Sequence, residues 1–565
     1  MSARELITEH LDLWTGAATK KSSSGRGSNG KLELTGVKKL RELILSLAVR
    51  GKLVPQNSEG PSAASLLVDI EAKKKELYHA KIVKKPRKLC QPQSDEAPWP
   101  LPSSWEWVKL PDIYYPISPS GKKLKSSETL DIGQFPVVDQ GQSYISGYTD
   151  DASLVIEIPH PVIVFGDHTT ARKYIDFSFV PGADGTKILC PILVNPRFFY
   201  LQLLGYDLEN RGYARHFKVL NENFFALPPL EEQHRIVQKV DELMALCDRL
   251  EQQTSDQLEA HETVVDTLLG TLTQSENATE LADNWARLAA HFDTLFTTEQ
   301  SIDKLKQSIL QLAVMGRLVE QDAGDEPVAT LLQSIESQKG ELIKSGAIKH
   351  SKPLPPVSQE DHPFRLPNGW RCHRLGALVT KLGSGSTPRG GQRAYVDGGV
   401  PFLRSQNVWN DGLRLEDIVY ISEDTHARMS NTVVDPKDIL LNITGASLGR
   451  STIFPDHIPE ANVSQHVTII RLIEPAMTSF VHLCIQSPLI QSLVWGRQVG
   501  MAIEGLSKKV LERFEMPIPP LEEQHRIVQK VDELMALCDR LKERLNRAGE
   551  TRCQLAETIV HHALS

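Results

Sequence analysis

The feature that most constrains this chain is that it contains itself twice. Pro228 to Leu250 reads PPLEEQHRIVQKVDELMALCDRL, and Pro519 to Leu541 repeats that 23-residue string without a change, 291 positions on. A second repeat runs at another offset. Leu40–Leu77 aligns without gaps to Leu305–Leu342, 265 positions on, with 18 of 38 residues identical. The same offset carries Leu101, Pro102 and Trp105 onto Leu366, Pro367 and Trp370. Repetition on this scale sets the architecture before any local pattern does. The order is a–X–b–a′–Y–b′, where X (111–227) and Y (376–518) show no match, and Y is the longer by 26 residues. A fixed frame around two divergent inserts predicts one scaffold presenting two different readings. The plainer alternative is a duplicated structural domain whose loops have drifted.

Segment b is predicted to be helical. Pro229 lies near its start, and Glu231 and Glu232 stand in the first turn, where they suit the helix dipole. Ile236, Val240, Leu243, Cys247 and Leu250 step by 4, 3, 4 and 3, as do Ile527, Val531, Leu534, Cys538 and Leu541. That is a heptad seam, too short for a free coiled coil but enough for a helix-packing face. In segment a, Leu40, Ile44 and Leu47 match Leu305, Ile309 and Leu312, with Gly51 and Gly316 as helix stops. His234 and His525 are expected to be surface or packing residues. Residues 16–31 are Ser/Gly/Lys-rich and predicted to be disordered.

A chain of 565 residues has room for several domains. No apolar run reaches the ~18 residues of a membrane span, and the start lacks the pattern of a secretory signal, so a cytoplasmic location is expected. Seven cysteines without a CxxC argue against a disulfide framework or a zinc ribbon. The net charge of −8 counts mildly against DNA binding, although one face can still be basic. Neither insert is basic overall: X has 10 Lys and Arg against 13 Asp and Glu, and Y has 13 against 14.

The inserts have strand-like apolar runs between turn residues, as in FPVVDQGQ (135–142) and DILLNITGASLG (438–449). Each is expected to form a compact α/β or mainly β globule. Their polar loops suit DNA. GSGSTPRGGQR (383–393) offers backbone amides and Ser386, Thr387 and Arg389 to phosphates. Arg404, Ser405, Gln406 and Asn407 carry groups that pair with base edges. In X, Lys122, Lys123 and Lys125 cluster, Gln142 follows a strand, and GDHTTARK places His168, Thr169, Arg172 and Lys173 straight after another. A solvated loop is the plain reading of any one of these. Two such sets in matching frames favour DNA.

No catalytic constellation is present. The chain has no GxxxxGK[ST], HExxH or GxSxG. Asn195-Pro196-Arg197-Phe198 only superficially suggests an adenine-methyltransferase motif and is expected to be a turn before a helix. Pro455, Asp456 and Glu460 begin a nuclease pattern that no lysine completes.

The whole pattern resembles the specificity subunit of type I restriction–modification systems. The resemblance covers about residues 38 to 565. It rests on the duplicated helix string, on LAVRGKLV and LAVMGRLV with LPSSWEW and LPNGWRC, and on YVDGGVPFLRSQNV, DILLNITGASLGR, NVSQHV, FPVVDQGQ and VFGDHTTARKYIDF. It implies an α+β fold: two mixed α/β target-recognition domains joined by long, paired, coiled-coil-like helices in pseudo-twofold arrangement. The implied division is a flexible extension (1–37), a helical region (38–97), a first recognition domain (98–227), a central helical spacer (228–362), a second recognition domain (363–518) and a C-terminal helix (519–565). It also implies a non-catalytic subunit that reads bipartite double-stranded DNA, one half-site per domain. Two modification subunits would carry S-adenosylmethionine, and restriction subunits would use ATP and Mg, with no cofactor on this chain. The rival readings are a coiled-coil adaptor without sequence-specific DNA binding and a self-contained methyltransferase.

Overall fold

The computed structural model describes residues 9–17, 19–20, 32–57, 60–83, 97–119, 121–183, 185–208, 215–276, 278–350, 352–498 and 505–564. These fall into two compact units, one holding the described residues up to 257 together with 548–564, the other holding 258–547.

The first unit opens with α1 (Leu11–Gly16), α2 (Thr35–Val49) and α3 (Ala63–His79). The apolar stripe of α2 places Leu40, Leu43, Ile44 and Leu47 in one core with Ile236, Val240 and Cys247, the seam of the first repeated string. The seam therefore faces its own segment a. Each fully buried aliphatic side chain contributes about 1.5–3 kcal/mol. Arg41 flanks the contact with bonds to Asp248 (2.7 Å) and Glu251 (3.0 Å), exposed pairs worth little beside the apolar seam. The end of the last helix packs on the same core through Ala556, and Arg50 Nη1 donates to Leu564 O at 2.5 Å. The seam of the second string, Ile527, Val531 and Cys538, lies in the core with Leu305, Ile309 and Leu312 of segment a′, and only the helix beyond that string, residues 548–564, belongs with segment a.

The N-terminus departs from the expected flexible extension. Trp14 of α1 is fully buried, and a Cβ at Gly36 would stand 2.2 Å from Trp14 O, so only glycine permits the approach. Thr35, Gly36 and Val37 already belong to α2. The predicted disorder over 16–31 falls mostly on residues 18 and 21–31, outside the described residues.

The domain of this unit is held by a two-stranded clasp, β1 (Glu106–Lys109) with β9 (Phe224–Leu227). Between them run β2 (Tyr114–Ile117), β3 (Phe135–Val138), β4 (Gly147–Thr149), β5 (Val162–Gly166), β6 (Arg172–Ile175), β7 (Val180–Pro181) and β8 (Thr186–Pro191). One antiparallel sheet has the order β2-β8-β5-β6, and a second has the order β4-β3-β7 with β3 and β7 parallel. Then follow α4 (Pro196–Leu204) and α5 (His216–Glu222). Asn195 caps α4 by accepting from Arg197 N and Phe198 N, with Pro196 at the first position. The Asn-Pro pair is a helix start, as its side-chain chemistry dictates.

The first string opens α6 (Leu230–Gln274), of which residues 258–274 belong to the second unit. That unit continues through α7 (Ala278–Ala290), α8 (Glu299–Val314) and α9 (Val328–Lys344). Its domain has its own clasp, β10 (Arg371–Arg374) with β20 (Glu515–Ile518). Inside lie β11 (Val379–Ser384), β12 (Tyr395–Val396), β13 (Val400–Leu403), β14 (Val419–Ile421), β15 (Val433–Val434), β16 (Ile439–Asn442), β17 (Ser451–Ile453), β18 (Ala461–Val463) and β19 (Val467–Leu472). They are followed by α10 (Thr478–Gln486) and α11 (Pro488–Gly496), and the second string opens α12 (Leu521–Leu564).

Strand for strand, the two domains share a plan that their sequences conceal. The order β11-β19-β16-β17 repeats β2-β8-β5-β6. The parallel pair β13 and β18 repeats β3 and β7 within a larger, five-stranded sheet. The clasps even share a register: Glu106 pairs with Leu227, and Arg371 with Ile518. Those partners are related by the two sequence offsets, one on each strand.

The frame explains the rest. Gly51 (φ 69°) and Gly316 (φ 68°) sit just past their helices, in the left-handed conformation that a helix stop needs. Lys52 N donates to Leu47 O and Arg317 N to Leu312 O, closing the same turn twice. A Cβ on either glycine would stand 2.6 Å from the ring of Pro102 or Pro367, which seats Trp105 and Trp370. Trp370 is 1% exposed, stacks edge-on to Phe480 and donates to Glu523 Oε1 at 3.0 Å. Burial pushes the carboxyls of Glu523 and its equivalent Glu232 up from the usual range. Trp370→Ala leaves both a large void and a buried carboxylate without its indole donor. Denaturant unfolding of the purified chain should show a loss of about 3–5 kcal/mol. A loss below 1 kcal/mol would mean that the tryptophan does not hold the domain to its frame.

Candidate nucleic-acid interface

The shared topology places four polar segments at corresponding strand ends in each domain. In the first they follow β2 (118–125), β3 (139–142) and β7 (182–185) and form the β5–β6 turn (167–171). In the second they follow β11 (385–393), β13 (404–407) and β18 (464–466) and form the β16–β17 turn (443–450). The parallel pairs bring two of these segments side by side. Gly182 N donates to Val138 O in the first domain, and Ser464 N donates to Leu403 O in the second.

In the first domain the convergence is tight. Gln140 Oε1 accepts His168 N (3.2 Å), and Thr169 Oγ1 donates to Gln140 O. A Cβ at Gly185 would stand 2.2 Å from Gln140 Oε1. Lys122, Lys123, Lys125 and Gln142 are exposed, and Lys122 Nζ donates to Val155 O at 2.8 Å. His168 and Thr169 are half-buried.

Two expected contacts need correction here. Lys173 is 4% exposed, donates to Asp139 O at 2.9 Å and pairs with its carboxylate at 3.4 Å. Burial pulls that ammonium down from its ordinary range, against the upward pull of Asp139. Arg172 donates to Leu204 O (3.1 Å) and Tyr206 O (2.9 Å). Both cations brace the domain from within, because alternation along β6 turns Lys173 inward and α4 covers Arg172.

In the second domain Ser386, Thr387, Arg389 and Gln406 are exposed. Arg404 is half-buried, with Nη2 donating to Asp417 O at 2.6 Å. Ser405 is half-buried, and its carbonyl accepts from Asn442 Nδ2 at 2.8 Å. Asn407 is the third correction. It is 1% exposed, accepts from Arg404 N (2.9 Å) and donates to Arg414 O (2.8 Å). Its amide shapes the loop, and its burial keeps it from a base edge.

Several residues at this edge escaped sequence reasoning. Gln140 is one. Others are Thr444 and His466, bonded Oγ1 to Nδ1 at 2.7 Å, and exposed Gln465. The strings holding them were visible, but their meeting depends on which strand ends are neighbours, and that is set by long-range pairing. Among the described residues no group of three or more His, Cys, Asp or Glu could hold a metal, and no helix is long and apolar enough to cross a membrane.

Two domains of one topology, each clasped into a copy of one helical frame and each exposing polar loops at the same strand ends, define a protein with two recognition domains. The profile of the type I restriction modification DNA specificity domain matches residues 102–260 and again residues 367–548, and the chain belongs to that family. It is 36% identical to the type I restriction enzyme EcoAI specificity subunit of Escherichia coli and 34% identical to the EcoEI specificity subunit of the same species, over the full length of both chains in each case. The crystal structure of the HsdS subunit from Thermoanaerobacter tengcongensis superposes with a TM-score of 0.38 at 16% identity, over 83% of this chain and 98% of that one.

Proposed function

We propose that this chain reads a bipartite double-stranded DNA target, one half-site per recognition domain, and recruits the subunits that act on it. The observation that carries this reading is the pair of domains with one topology and unrelated sequences in a duplicated frame. A structural duplication would have no reason to keep the frame identical over 23 residues while the exposed strand ends diverge. The division into a helical region up to residue 97, recognition domain (98–227), spacer (228–362), recognition domain (363–518) and terminal helix (519–565) is part of this proposal.

The contacts assigned to DNA are Lys122, Lys123, Lys125, Gln142, His168 and Thr169 in the first domain. In the second they are Ser386, Thr387, Arg389, Arg404, Ser405 and Gln406. Lysines suit phosphates and the planar or amide groups suit base edges. Two modification subunits supply S-adenosylmethionine chemistry, and restriction subunits supply ATP- and Mg-dependent cleavage. The chain itself performs no reaction and works in the cytoplasm.

The test is to purify the chain alone and with a modification subunit, then measure methyl transfer to a random duplex library. Methylation should need both proteins and should fall on one split sequence. Methyl transfer by the pure chain, or methylation by the complex without sequence preference, would overturn the reading.

A further inference from the structure

The second domain has an element with no counterpart among the described residues of the first: a short hairpin in which Val408 pairs with Leu413 and Trp409 with Gly412. It is tied into the polar edge. Trp409 Nε1 donates to Gln406 O at 2.8 Å, and Asn410 Oδ1 accepts from Ser451 N at 2.9 Å. The half-buried indole carries two guanidinium groups. The Arg450 central carbon lies 3.8 Å from the ring centroid, and that of Arg414 lies 5.5 Å away. The two arginines differ in what else they hold. Arg414 is paired with Asp411 at 2.7 Å, whereas Arg450 has no carboxylate partner among the described residues. Arg450 closes the β16–β17 turn and accepts through its carbonyl from the backbone N–H of Asn442, the last residue of β16, whose side chain is bonded to Ser405 O, so it stands beside the loop that carries exposed Gln406.

We propose that Arg450, held over the ring of Trp409, is a base-reading residue of the second domain and takes a guanine in that half of the target. Stacking at this distance fixes the plane of the guanidinium and leaves its in-plane N–H edge free. A planar fork with two parallel donors matches guanine O6 and N7 in the major groove. A phosphate can also take the fork, but a lysine's point charge serves it as well, whereas a guanine edge is read only by donors held in its own plane, so the indole platform favours a base edge. The inference rests on the reading of the domain as a DNA reader.

The experiment uses the complex with its modification subunit and selection from a randomised duplex library at fixed salt. The variants are Arg450→Ala and Arg450→Lys, the second keeping the charge and the surface position. Both should relax one guanine position of one half-site by roughly ten- to a hundred-fold and leave the other half-site unchanged. If Arg450→Lys keeps the full preference, Arg450 is a phosphate contact and the inference is overturned. An unchanged preference in both variants overturns it as well. A wild-type complex that selects no sequence would instead bring down the reading of the domain, and this assignment with it.

Discussion

Exchanging residues 111–227 for the matching insert of a relative should change one half of the recognised sequence and leave the other half as it was. The clasp makes this physically reasonable. The first insert leaves the frame after β1 and returns through β9, in the pairing Glu106 to Leu227 that the second domain repeats as Arg371 to Ile518. What an incoming insert must satisfy is therefore local: a strand that pairs with Trp107 and Val108, a start that follows Leu110, and a helix that offers an aromatic to Trp105, as Phe198 does. Nothing in the second domain's core has to repack, because its buried residues form a separate cluster. Specific and non-specific DNA binding commonly differ by about 10³–10⁷-fold, so a half-site change will read as a switch. The measurement is the methylated motif in cells carrying the hybrid with its modification partner. A change in both halves, or in neither, would refute independent reading.

Much of the frame was legible because helices write themselves locally. The heptad steps of Ile236 to Leu250, the helix-stop glycines Gly51 and Gly316 and the Leu-Pro-Trp landmarks each follow from chain-neighbour chemistry. The inserts are different. Their common topology depends on which strands pair, and β2 with β8 or β11 with β19 joins residues some 70 to 90 positions apart. Strand alternation could not show that Lys173 turns inward onto Asp139, or that Asn407 is consumed by Arg404 and Arg414. Side-chain chemistry alone made them look like DNA contacts, while burial decides what they can touch. The N-terminal helix was missed for a related reason. His10-Leu11-Asp12 echoes His291-Phe292-Asp293, and both histidines cap helices with near-identical angles (φ −119°, ψ 27° and φ −116°, ψ 16°). The offset is 281 at the two histidines and 265 at Leu40 and Leu305, so the first copy holds 16 more residues between them, and that gap hides the match from an ungapped alignment.

Lengthening both long helices by one turn should lengthen the gap between the two half-sites without altering either. α6 passes from the first unit to the second after residue 257, and α12 returns to the first after residue 547. Gln257, Arg547 and Ala548 are exposed and Leu258 half-buried, so insertions at these two points disturb little of the core. Four residues add about 6 Å and slightly more than one full turn, which nearly restores the packing face beyond the insertion. Two residues would rotate that face by roughly 200° and set the buried seam toward solvent. Half-sites read from one side of a duplex favour separations near one helical turn, roughly 34 Å. A shift of about 6 Å therefore corresponds to one or two base-pair steps. The paired four-residue variant should methylate a target with a longer gap and unchanged half-sites. The paired two-residue variant should lose specific methylation. Insertion into α6 alone should be worse tolerated than the pair, because α12 keeps its original length over the same crossing. Methylated-site sequencing in cells carrying each variant with its modification partner gives the result. A stable, active, paired four-residue variant that keeps the original gap would show that the helices do not set the spacing.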